Sequence, residues 1–227
     1  SGHTYEQLRE ANWMYPRFEY RKYRTGRQRP DGQLGFNTPT GRLEFKSTLC
    51  EQWGFEAVPS YHETDRGPLS TPELMEEYPL ILTTGARTWP YFHSEGRQVP
   101  HLRALRPDPL VEVHPAAAAR FGIAEGDWVW VENEHGRIAM KAHVTVAVPE
   151  AVVNVDHAWW FPEEDGNEPN LYGNFRSNIN NLIPNFHFGK LGFGAPCKCM
   201  ICNVRPLAEN YDTDMQMVWE KFKREDQ

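Results

Sequence analysis

Past Tyr78 short apolar runs alternate with Gly, Pro and Asn. That texture predicts a small all-β domain, closed as a barrel, rather than a helical bundle. Strands are predicted over 80–83, 110–113, 128–132, 137–146, 152–155 and 198–204. The runs 128–132 and 138–142 flank Asn133-Glu134-His135-Gly136, which predicts a hairpin with Gly136 at a positive-φ position. Two short helices interrupt the strands, one over 100–105 and one over 115–121. The second has Pro115 in its first turn and Gly122 just past its end. A last helix over about 213–224 places Met215, Val218, Trp219 and Phe222 on one face that must dock.

The upstream third reads differently. Thr4 and Gln7 form a capping-box pattern for a helix over 4–14, with Leu8 and Ala11 on one face and Pro16 beyond its end. Between 17 and 29, Arg17, Arg21, Lys22, Arg24, Arg27 and Arg29 interleave with Phe18, Tyr20 and Tyr23. Such a run can stack on a single-stranded nucleic acid, or can be a solvated loop packed on a neighbouring domain. The segment 35–45 is turn-forming and leads into a short alternating strand. The stretch 59–79 is rich in Pro, Ser, Thr and acids and reads as a linker. Residues 1–77 are therefore expected to be an extension and linker, and 78–227 the barrel with its C-terminal helix.

Charge narrows the function. The 227 residues carry 24 basic against 31 acidic groups, a net of −7, which argues against a general binder of nucleic acid or anionic membrane. No run approaches the ~20 apolar residues of a membrane span. The chain opens at Ser1-Gly2-His3 without an initiating Met, as a cut from a longer protein would. Cys197, Cys199 and Cys202 make a C-x-C-x-x-C run, but Cys50, the other cysteine, lies far upstream. The run is either an incomplete metal set or a group of small thiols filling a strand.

Four clusters carry candidate chemistry. Thr83-Thr84-Gly85-Ala86-Arg87 leaves an apolar strand, where Gly85 allows close approach to the main chain and Arg87 can meet a pyrophosphate. His93-Ser94-Glu95-Gly96-Arg97 adds an imidazole, a hydroxyl and a guanidinium that can contact phosphate or pair with Glu95. Asp156-His157-Ala158-Trp159-Trp160-Phe161-Pro162-Glu163 offers flat rings and, at Glu163, a carboxylate for the N–H face of a pterin or guanine. Two consecutive Trp residues cannot both point inward from a strand. Ser177-Asn178-Ile179-Asn180-Asn181-Leu182 is dense in carboxamides, which suit a purine or pterin edge and equally suit turns.

In this order the clusters resemble the molybdopterin-dinucleotide-binding C-terminal domain of the dimethyl-sulfoxide-reductase family of molybdenum and tungsten oxidoreductases. The resemblance runs over about 35–206. It includes Gly35-Phe36-Asn37-Thr38-Pro39-Thr40-Gly41-Arg42-Leu43-Glu44, similar to the family's Thr-Pro-Ser-Gly-Lys-Ile-Glu segment, and His114-Pro115 through Gly126-Asp127-Trp128-Val129. Asn181-Leu182 and Pro196-Cys197-Lys198 resemble its Asn-x-Leu and Pro-x-Lys. After Asn181 the chain departs, with 182–189 replacing the family's Leu-Thr and Asp-Pro turn. The His-x-Trp-Trp-Phe-Pro-Glu run and the ending at 199–204 look most like a branch that includes acetylene-hydratase-like and catechol-dehydroxylase-like proteins.

The resemblance implies a mainly β fold, a six-stranded double-psi barrel related to the aspartate-decarboxylase barrel, with short helices. It implies molybdopterin guanine dinucleotide as cofactor, two per Mo or W. Thr84, Gly85 and Arg87 would hold pyrophosphate or pterin. His93, Ser94 and Arg97 would line the pterin side, Asn178, Asn181 and Lys198 would bind ring edges, and Trp160 and Glu163 would join them. No catalytic or metal-ligating residue is assigned in this chain. The metal ligand and any iron–sulfur cluster belong to upstream domains, and the partners are those domains of the same polypeptide and an iron–sulfur electron-transfer subunit. The competing expectation is a free-standing module that binds carbohydrate or single-stranded nucleic acid through its Trp-rich loops.

Overall fold

In the strand β1 (Leu80–Thr84) every second side chain, Leu80, Leu82 and Thr84, is buried, and the same alternation recurs in β2 (Leu110–Val113) and β5 (Val152–Val155). With β3 (Trp128–Asn133), β4 (Gly136–Val144) and β6 (Met200–Pro206) they close a barrel in the order β1-β5-β2-β4-β3-β6. The computed structural model describes residues 2–11, 18–86, 88–185 and 200–207. The six-stranded, mainly β architecture expected from the sequence is present. The helix expected over 213–224, like Cys197 and Cys199, lies outside the described residues.

The chain divides into two compact units, Ser1–His62 and Glu63–Gln227. The division falls inside the linker-like stretch, and residues 63–77 group with the barrel unit. In the first unit helix α1 (Tyr5–Ala11) has the expected reciprocal cap, in which Thr4 N–H donates to Gln7 Oε1 at 3.0 Å and Gln7 N–H to Thr4 Oγ1 at 3.3 Å. Helix α2 (Thr48–Gln52) is capped by Ser47. The short strand expected after the turn at 35–41 does not form among the described residues. Instead Glu44 Oε1 accepts from Thr40 Oγ1 at 2.7 Å, and the carboxylate also takes the Thr48 N–H at 3.2 Å, closing the chain into a turn.

The barrel core is Leu80, Leu82, Val111, Val113, Val129, Val131, Ile138, Met140, Val153, Val155, Cys202 and Val204 with their neighbours. Burying each such aliphatic side chain contributes roughly 1.5–3 kcal/mol. Strand directions follow from the registers: β1 runs parallel to β5 and β2 to β4, while β6 is antiparallel to β1 and β3. The antiparallel pairings of β2 with β5 and β3 with β4 complete the ring. So β1, β3 and β5 end at the rim where β2, β4 and β6 begin. All the loops that carry candidate residues leave from or return to this rim.

Helices α3 (Pro100–Leu105) and α4 (Pro115–Phe121) lie where expected. The β3–β4 hairpin corrects one expectation. No residue from Glu134 to Gly136 has a positive φ; Asn133 Oδ1 instead accepts the His135 N–H at 3.0 Å, so an Asx turn makes the reversal. Glycine serves a different need at 136, where a Cβ would stand 3.3 Å from the Asn181 carbonyl oxygen. That carbonyl belongs to a segment containing α5 (Asn174–Ser177) and a 3-10 turn over Ile179–Leu182, which covers β4 and adds Ile179 and Leu182 to the core.

Candidate functional site

At the exit of β1, Thr84 is buried and donates its hydroxyl to the Val155 carbonyl at 2.7 Å, tying the ends of the two parallel strands together. Gly85 follows with φ +91, a conformation that costs a β-carbon-bearing residue but not glycine. Arg87 lies outside the described residues. Thr88 Oγ1 donates at 3.1 Å to Asp156, the residue just past β5.

The Asp156 carboxylate joins three chain segments. Besides Thr88 it accepts from the Leu110 N–H at 2.9 Å and pairs with Arg106, Nη2 to Oδ1 at 3.0 Å. Tyr91 donates its hydroxyl to the Arg106 carbonyl at 2.7 Å. The β1 exit, the start of β2 and the end of β5 therefore share one buried polar network, satisfied as a low-dielectric interior demands.

Arg97 is enclosed within the fold rather than displayed on its surface. Its side chain is 1% exposed and is not paired with Glu95. The guanidinium lies 4.6 Å from the Tyr91 ring centroid and 4.6 Å from that of Trp159. It donates to the His93 carbonyl at 3.0 Å and the His157 carbonyl at 3.3 Å. Burial pushes its pKa down to about 10, still far above neutrality. Two rings and two main-chain carbonyls enclose the guanidinium, and its buried Nε has no hydrogen-bond partner among the described residues.

The two Trp residues split as two adjacent positions must. Trp159 is fully buried against Tyr91 and Phe161, whereas Trp160 turns out and donates its indole N–H to the Ser94 carbonyl at 2.7 Å. His93 is exposed and its ring meets that of His157 edge-on, 5.8 Å between centroids. His157 Nδ1 lies 2.8 Å from the Ala86 carbonyl oxygen, which can only accept, so Nδ1 carries the hydrogen. Burial lowers the His157 pKa from its ordinary value, and the charge of Arg97 acts the same way, against the raising effect of the Ala86 carbonyl. The lowered pKa favours the neutral imidazole with a bare Nε2, and that atom is buried with no hydrogen-bond partner among the described residues. Glu163 is exposed and engaged, accepting from Arg103 at 2.8 Å.

The carboxamide cluster reaches the same rim at its other wall. Ser177 Oγ donates to the Ala139 carbonyl at 2.7 Å, and Asn133 Nδ2 to the Leu182 carbonyl at 2.9 Å. Asn178 Oδ1 caps the 3-10 turn through the Asn180 N–H at 3.1 Å, its Nδ2 donates to Asn174 Oδ1 at 2.6 Å, and Asn181 Nδ2 donates to the Asn174 carbonyl at 3.1 Å. Both are half-buried and spend these atoms on local turns. Lys198 lies outside the described residues. The structure therefore joins the first three clusters by direct contacts, through His157 to Ala86, Trp160 to Ser94 and Arg97 to both loops, and sets the fourth against β4, where Arg176 just before it lies 3.8 Å from the Phe161 ring centroid.

Residues 80–192 match the molydopterin dinucleotide binding domain. This stretch of the chain belongs to that family. Among relatives, the chain is 38% identical over 182 residues to dopamine dehydroxylase of Eggerthella lenta, covering 70% of this chain and 17% of that protein. It is 39% identical over 137 residues to acetylene hydratase of Syntrophotalea acetylenica, covering 60% of this chain and 19% of that protein. Dimethyl sulfoxide/trimethylamine N-oxide reductase of Rhodobacter capsulatus is 31% identical over 165 residues, 69% of this chain and 19% of that protein. The solved structure of acetylene hydratase from Pelobacter acetylenicus superposes with a TM-score of 0.72 at 30% identity over 79% of this chain and 25% of that one. The chain spans less than a fifth of the length of these curated relatives.

For a molydopterin dinucleotide binding domain the donor set is chemically suitable. A pterin or guanine edge presents ring N–H and amino groups, and the bare Nε2 of His157 is an acceptor in search of one. The left-handed Gly85 opens main chain beside it. Within the run 156–163 no local pattern singles out His157 or Asp156. Their position immediately after β5, whose parallel partner β1 carries the Gly85 loop, was the signal that could have found them.

Proposed function

We propose that this chain is the cofactor-capping C-terminal part of a larger molybdenum or tungsten oxidoreductase, and that the rim at the exits of β1 and β5 holds molybdopterin guanine dinucleotide. The observation that carries this reading is the convergence of three sequence-distant clusters of a molydopterin dinucleotide binding domain on one rim, linked by the contacts of His157, Trp160 and Arg97.

Thr84, Gly85 and Arg87 contribute to the pyrophosphate and pterin side. His93, Ser94, Trp160 and Glu163 line the same side. Asn178 and Asn181 offer their carboxamides to ring edges, and Lys198, outside the described residues, is assigned to the same edges by the family resemblance alone. The cofactor supplies the metal and its redox chemistry, and this chain's residues bind, orient and exclude water from it. Residues 1–77 associate with the upstream part of the polypeptide. That part provides the metal ligand and any iron–sulfur cluster, and an iron–sulfur subunit is the electron-transfer partner. The small share of its relatives that this chain spans supports the division.

The experiment is to purify the whole polypeptide containing this chain and quantify guanosine monophosphate and oxidised pterin after acid hydrolysis. Stoichiometric guanine nucleotide with molybdenum or tungsten is expected. Protein made in a molybdenum-replete host that carries neither would contradict the reading.

A further inference from the structure

A buried arginine ordinarily sits beside a carboxylate, because an uncompensated charge in the interior is costly. Arg97 has no ion-pair partner among the described residues, yet it is 1% exposed. Two aromatic faces, Tyr91 and Trp159, enclose its guanidinium. The two carbonyls it serves belong to His93 and His157, on the loops that follow β1 and β5. His93 has φ +53, and Ala158, which shares the peptide whose oxygen Arg97 holds, has φ +52. Both are non-glycine residues in the left-handed region, where a β-carbon is strained and persists only if the surroundings over-determine the backbone. One guanidinium therefore sits at both strained points.

We propose that Arg97 is a positioning residue for the cofactor rim: a buried clasp that holds His93 and the His157–Ala158 peptide in left-handed geometry and thereby sets both imidazoles and the Trp160 ring for the dinucleotide. This rests on the reading of the rim as the cofactor site. It replaces the contact with phosphate expected of Arg97 by an action through the loops. Lysine at this position keeps the charge but cannot span two carbonyls and lie flat between two rings.

The test uses the whole polypeptide with Arg97→Lys, Ala158→Gly, the two combined, and Leu82→Ala as a barrel-core control. The readouts are guanine nucleotide retained per chain through gel filtration, hydrogen exchange of 93–97 and 157–160, and the thermal midpoint. R97K is expected to release nucleotide about tenfold faster, the loss of about one charge-assisted hydrogen bond. Its two loops should exchange faster while β1 and β5 stay protected. R97K combined with A158G should recover much of the retention, because glycine adopts the left-handed conformation unaided. L82A should lower the midpoint without loosening the loops selectively.

Wild-type retention and loop protection in R97K would overturn the proposal. So would nucleotide loss in L82A equal to that in R97K at matched midpoint, which would make the effect one of global stability. If R97K fails to fold, A158G alone decides: a raised midpoint supports strain held by the clasp, and an unchanged or lower one removes it. A wild-type polypeptide without guanine nucleotide would instead sink the cofactor reading itself.

Discussion

Trp160 donates its indole N–H to the carbonyl of Ser94 at 2.7 Å, across 66 residues of sequence. The bond joins the loop after β5 to the loop after β1, and holds the indole beside the main chain of Ser94. Trp160→Phe keeps a ring and loses the donor. It is expected to cost about 1 kcal/mol in urea unfolding, typical of one partly exposed hydrogen bond. The same variant should lower cofactor content in the whole polypeptide, measured as guanine nucleotide per chain. A variant with unchanged content would remove Trp160 from the rim.

Asp156 tests whether the rim is built on one network. Its side chain is 9% exposed and that of Arg106 27%. Asp156→Asn keeps the shape, removes the charge and leaves Arg106 uncompensated. Breaking such a pair should cost about 3 kcal/mol. Adding Arg106→Met should return part of that loss, because the stranded charge is then gone. Denaturant unfolding of the two variants checks the order, and a double variant less stable than D156N would count against a coupled pair.

The lowered pKa of His157 gives a stability effect of defined sign. The unfolded imidazole titrates near its ordinary value of 6.5 and binds a proton that the folded one resists. Stability from this group is therefore fully present above pH ~6.5 and is lost as pH falls below it. Urea midpoints from pH 7.5 to 5 should drop more in the wild type than in His157→Gln. Parallel pH profiles would show that the imidazole is not held neutral.

Cys202 sits in the barrel core at 0% exposure, and burial drives its thiol pKa strongly upward. Thiolate is the reactive form. Iodoacetamide at pH 8, read by mass mapping, should therefore leave Cys202 unmodified in the native protein and modify it in denaturant. Native labelling at Cys202 would argue against β6 closing the barrel.

The barrel was legible because period-two alternation is dictated by which face meets the core, as in Leu80, Leu82 and Thr84. What escaped were positions where a polar group works on its neighbours' main chain. Gly136 looked like a turn glycine and serves to admit the Asn181 carbonyl. Arg97, one residue past Gly96, reads as a phosphate contact or a partner of Glu95 and is buried between rings that lie far apart in sequence. Asn178 and Asn181 carry the carboxamides of a recognition edge, yet much of their hydrogen-bonding capacity closes local turns. No local pattern distinguishes these cases, since each depends on the partner that the fold brings near.

The central claim is that one rim of the barrel holds the dinucleotide. Hydrogen–deuterium exchange of the whole polypeptide, cofactor-loaded against cofactor-free, tests it most directly. The account predicts slower exchange on loading at 84–88, 93–97 and 157–163, with no change at the opposite rim, where β4 ends at Val144 and β5 begins at Val152. Protection confined to the opposite rim, or none at the exits of β1 and β5, would contradict it.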